Sequence, residues 1–153
     1  MKKLILILVL CLHALLGYTK DVNTLFNEFS GKSGVEEVHL NSFEMSLIKS
    51  FCGSGDDSEI IRAVKSVRVL DLNACSQEVK SRFLKKADQV KFPGYELLME
   101  LKEEQENVRI FLKRQDDFIR ELVIMVTGEE ASLIKITGKI KTGLVGDLVK
   151  KYK

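Results

Sequence analysis

Four consecutive runs of alternating apolar and polar residues constrain this chain more than any other feature. They are Tyr95–Lys102, Val108–Arg114, Phe118–Thr127 and Ser132–Ile140, separated by polar breaks near Glu104-Gln105, Gln115–Asp117 and Gly128–Glu130. A period of two is the signature of a strand. Breaks this short can only join antiparallel neighbours, so the C-terminal half reads as a four-stranded antiparallel meander. Strand parity then sorts the side chains. Leu97, Met99, Ile110, Leu112, Leu122, Ile124, Ile134 and Ile136 fall on one side, which is predicted to meet the helices. The other side alternates charged residues with Leu98, Phe111, Val123, Met125 and Leu133. Those five residues are the candidate interaction face, an apolar stripe open to a partner or to a second copy of the chain.

The N-terminal half has a different texture. Val22, Leu25, Phe26 and Phe29 recur at helical spacing, with Gly31 and Gly34 beyond them. Val35, Val38 and Leu40 form a short strand. Ser42 is placed to cap a helix bearing Phe43, Leu47, Ile48 and Phe51, and Asp56, Asp57 and Ser58 to cap another bearing Ile60, Ile61 and Val64. A second strand runs from Val67 to about Leu72. Ser76 caps a helix that extends to about Phe92, where Pro93-Gly94 stops it. Leu144, Val145, Leu148 and Val149 mark a last amphipathic helix. Helices first and a meander afterwards predict an α+β domain, with the helices mainly on one face and the two early strands extending the same sheet.

The first residues predict export. Lys2 and Lys3 precede an apolar run, Leu4 to Leu16, broken only by His13. Roughly thirteen residues fall short of the about twenty that span a bilayer, but they fit the apolar core of a signal peptide. Residues 1–19 are assigned to that peptide, with cleavage after Thr19 (after Gly17 is the alternative), and residues 20–153 to a single α+β domain in the periplasm or cell envelope. A lipid anchor on Cys11 is disfavoured, since Val9 and Leu10 precede it where a small residue is wanted. Cleavage removes two lysines and no acids, so the net charge of +2 and the basic pI belong to the discarded peptide. That argues against a nucleic-acid partner, which requires a basic face on the mature domain.

Candidate chemistry is sparse. Cys52 and Cys75 survive cleavage and are a candidate disulfide in an oxidising compartment, worth about 3 kcal/mol by chain entropy; two buried thiols are the alternative. His39 is the one histidine left, and no spacing joins it to a cysteine. Asp56, Asp57 and Glu59 lack the ligand order of a calcium loop. Glu96, Glu100, Glu103, Glu104 and Glu106 read as a solvated edge. Gly138, Gly143 and Gly146 follow no phosphate-loop spacing. Lys80, Arg82, Lys85, Lys86 and Lys91 line one side of a helix, the only basic surface that could touch an anionic membrane. No catalytic residue, cofactor or metal site is assigned. The reading is a non-enzymatic binding or interaction module whose partner is an envelope protein or a second copy. The alternatives are an enzyme with an acidic or polar site, and a structural envelope-stress factor without a discrete ligand.

The start DVNTLFNEFSGKSGV, the central SVRVLDL with its SQEVKSRF helix, and the block GYELLMELKEEQENVRIFLKRQDDFIRELVIMVTGEEASLIKITGKI resemble the family catalogued as domain of unknown function 4252. The resemblance implies a small exported or envelope-associated α+β protein, chiefly of Bacteroidetes-type bacteria. It rests on hydrophobic patterning and brings no catalytic residues with it.

Overall fold

Asp21 opens the first helix of the computed structural model, which describes residues 2–3, 21–51 and 56–151. Its carboxylate accepts the Thr24 backbone N–H at 3.0 Å, and Val22, Leu25, Phe26 and Phe29 form the buried stripe of α1 (Val22–Phe29). After β1 (Glu36–Leu40) comes α2 (Ser42–Phe51). Its cap is Asn41, one residue before the expected Ser42. Asn41 Oδ1 accepts the N–H groups of Phe43 and Glu44, and Glu44 Oε2 accepts the Asn41 N–H at 2.7 Å. That reciprocal pair satisfies three donors that a lone serine would not.

The chain continues through α3 (Asp56–Ala63), β2 (Val64–Asp71) and α4 (Gln77–Gln89). Ser76 caps α4 as expected, accepting the Val79 N–H at 3.3 Å. The helix stops at Gln89, earlier than expected, because Val90 already turns extended ahead of Pro93. Four strands and a helix follow: β3 (Glu96–Lys102), β4 (Glu106–Gln115), β5 (Phe118–Gly128), β6 (Ser132–Lys141) and α5 (Thr142–Lys151).

All six strands join one antiparallel sheet in the order β1-β2-β6-β5-β4-β3. The meander is present, and the early hairpin extends it by docking β2 on β6. The α+β class holds, but the helices are not confined to one face. On one side, α1 and α4 bury Leu70, Leu133, Val123 and Met125, with Phe29 and Phe83 in edge-to-face contact at 5.3 Å. On the other side, Met45 of α2, Ile61 of α3 and Val145 of α5 pack on Leu112, Leu122, Ile136 and Ile140. Each fully buried large side chain contributes about 1.5–3 kcal/mol, so both layers stabilise the sheet. Central strands covered on both sides must be apolar on both parities, and Leu122-Val123-Ile124-Met125 is.

Candidate functional site

The candidate interaction face lies on the wrong side of the sheet. Val123, Met125 and Leu133 are fully buried beneath α1 and α4. Phe111 is half-buried against the same core, its ring stacked 3.9 Å from that of Phe92. Met125 does pair with Leu133, but Phe111 pairs with Leu97, because an irregularity at Leu98 shifts the β3 register. Charged neighbours gave this side its exposed look. In the folded chain their alkyl stems run beneath the helices and only their heads reach polar partners. The Lys135 side chain is 14% exposed and donates to Asn23 of α1 at 2.9 Å; Arg68 lies over the Phe26 ring at 4.6 Å.

The opposite side is the one left partly open. Helices α2, α3 and α5 cover one end of it. Beyond them, a row crosses all six strands in register: Val38, Val69, Ile134, Ile124, Ile110 and Met99. The next row adds Val126, Val108 and Leu101. Val38 is 51% and Leu101 53% exposed, the others half-buried, and none belongs to either core cluster among the described residues. Glu36 and Asp71, register partners, and Glu106 stand at the border of this floor with no salt-bridge partner among the described residues. On α2, Phe43 (71% exposed) and Leu47 also face solvent.

Cys52 lies outside the described residues. Cys75 is half-buried after β2, its Sγ donating to the Leu72 carbonyl at 2.9 Å. Among the described residues, no three His, Cys, Asp or Glu side chains are grouped to hold a metal.

A second surface was not anticipated. On the α1/α4 side, beyond the helices, an open groove of about 710 Å³ runs over five strands. His39 stands at one margin, and Lys65, Ser66, Thr137, Lys113 and Arg120 line the rest. The Ser66 and Thr137 hydroxyls hydrogen-bond each other across β2 and β6. Glu121 is held by the Tyr95 hydroxyl and by Lys135 Nζ at 3.5 Å. Burial, then the Glu121 hydrogen bond, pushes the Tyr95 phenol above its ordinary pKa, so it stays a donor. Gly138 is required at the floor: a Cβ there would run into the Ala63 carbonyl oxygen. The sequence did carry one signal for this groove. Phe118-Ile119-Arg120-Glu121-Leu122 breaks the alternation, and Ile119 and Leu122 share one core cluster although three residues apart.

The model of the family described as Domain of unknown function (DUF4252) matches residues 29–148, which takes in every strand, α2 to α4, the last residue of α1 and all but the last three residues of α5. The chain belongs to that family. No curated protein and no solved structure matches the chain. Membership therefore agrees with the resemblance seen in the sequence and adds no activity.

Proposed function

We propose that this chain is an exported, non-enzymatic interaction module of the cell envelope, and that its partner seats on the bare half of the sheet. One observation carries the reading: a floor of β-branched side chains, Val69, Ile134, Ile124 and Ile110 at its centre, continues past the helices and belongs to neither core cluster among the described residues. Apolar rows on a rigid sheet lose little side-chain entropy on contact, and a contiguous apolar patch is the usual mark of a protein contact. Glu36, Asp71 and Glu106 at the border, which make no salt bridge among the described residues, set the partner's chemistry. It is a protein segment with an apolar side flanked by lysine or arginine. Export is supported by Lys2, Lys3 and the apolar run that follows. No described helix is long and apolar enough to cross a membrane.

The experiment is site-specific photo-crosslinking in the native host. A crosslinking amino acid at Val38 or Leu101 should give a discrete adduct, while one at Lys85, on the far side, should not. An adduct at twice the chain's mass identifies a second copy as the occupant. No adduct at either position, with the protein folded and present, overturns the reading.

A further inference from the structure

Two irregular pairings fall at one level of the sheet. β2 holds an extra residue, Lys65, between Val64 and Ser66, where β6 steps directly from Gly138 to Thr137. β5 holds an extra residue, Arg120, between Ile119 and Glu121, where β4 steps from Arg114 to Lys113. A bulge leaves its extra residue out of the ladder and re-aims its side chain. Here both extra residues are cations, and both line the groove on the α1/α4 side. Lys113 is the third cation lining it.

The charge balance of the groove is one-sided. Glu121 is its only carboxylate among the described residues, and Tyr95 and Lys135 already engage it. Arg114, also at the groove, is paired with Glu96. Lys65, Lys113 and Arg120 have no carboxylate partner among the described residues; Arg120 meets only the Gln115 amide, at 3.2 Å. Like charges gathered in a concavity raise its potential and attract an anion. The cations stand on three strands, so they address oxygens from different directions. A tetrahedral oxyanion offers that geometry, whereas a planar carboxylate is satisfied by one arginine fork. The hydroxyls of Ser66 and Thr137 and the amide of Gln115 suit ligand hydroxyl groups beside the anion. A volume of about 710 Å³ is within the range of small-molecule sites and exceeds what a bare phosphate fills.

We propose that the groove binds a phosphate ester of roughly sugar size, with Lys65, Lys113 and Arg120 on the phosphate and the Ser66–Thr137 pair beneath the polyol. A soluble sugar phosphate and the glycerophosphate headgroup of a lipid share this chemistry. The site is independent of the apolar floor, which lies on the other side of the sheet.

The test titrates the ¹⁵N-labelled protein with glucose 1-phosphate, with glucose as the control, and follows amide resonances. Separately, sedimentation is measured with vesicles containing phosphatidylglycerol and with phosphatidylcholine alone. Saturable shifts at Ser66, Arg120 and Thr137 with glucose 1-phosphate, absent with glucose, support a soluble ligand. Binding only to the phosphatidylglycerol vesicles supports the headgroup. In either arm Arg120→Gln and Lys65→Gln should each weaken binding about tenfold, the scale of one charge-assisted hydrogen bond. Lys85→Gln/Lys91→Gln, on α4 and just past its end, should leave it unchanged, and all variants should keep the parent melting temperature. No binding in either arm overturns the proposal, and so does binding that Lys85→Gln/Lys91→Gln removes while the groove variants do not.

Discussion

Arg109 of β4 reaches the last turn of α4 and donates to the Ala87 carbonyl at 3.4 Å, tying the helix to the sheet through one side chain. That carbonyl is among the last four of the helix, which have no intrahelical donor, and a cation there also meets the negative end of the helix dipole. The Arg109 side chain is 18% exposed, and Asp88 stands 3.9 Å away. Arg109→Ala should therefore cost about 2 kcal/mol in urea unfolding. Arg109→Met, which keeps the packed stem, should cost less than half as much. Equal losses for the two would show that the stem contributes nothing.

The exchange of the two faces gives a direct comparison. Phe111→Glu places a carboxylate against Phe92 and the main core, and should destabilise by about 3 kcal/mol or more. Leu101→Lys, on the bare floor, should change stability by less than about 0.5 kcal/mol while abolishing the crosslink at Val38. Thermal melting ranks the two. The assignment of faces fails if Phe111→Glu is the milder change.

Tyr95 sets an alkaline limit. Its folded-state pKa is raised, by burial and by Glu121. The stabilisation it supplies is thus complete below the unfolded phenol value of about 10 and is lost as pH climbs past it. Melting temperature should fall above that pH, and fall less in Tyr95→Phe. A spectrophotometric titration should show Tyr95 ionising only as the protein unfolds.

Gly138→Ala should destabilise by about 1–3 kcal/mol, since the new methyl meets the Ala63–Val64 backbone where α3 runs into β2, and that junction must shift. The same shift should displace Lys65 and weaken glucose 1-phosphate binding. Unchanged stability would mean that β2 and β6 yield there at little cost.

Export has a simple readout. Intact mass of protein recovered from its native host should correspond to a chain beginning at Lys20. A chain beginning at Met1 would count against the signal peptide.

Much of the backbone was legible because its signals are local. Ser76, Pro93 and the alternation of β3 to β6 each act within a few residues. The faces were not legible for a physical reason. Parity groups Val123 with Met125, and Ile124 with Leu122, but both groups are apolar, and nothing local says which meets a helix. Charges misled further, because Lys135 and Arg68 can lie under a helix and still satisfy their heads. The groove draws His39, Ser66, Lys113, Arg120 and Thr137 from five strands. Its cations were visible as residues, but their convergence depends on two bulges and on β2 docking against β6.

That docking also orders events in time. In the sheet, Val69 finds its neighbour in Ile134, which is made long after it. As the chain emerges from the ribosome, β1 and β2 can form a hairpin with each other but have no central strand to rest on. Isolated hairpins are marginal in water, and contacts between distant segments form late. β6 therefore acts as the closing piece, and the sheet cannot be completed until that strand has been made. Until then the strands before it remain threadable through a narrow pore.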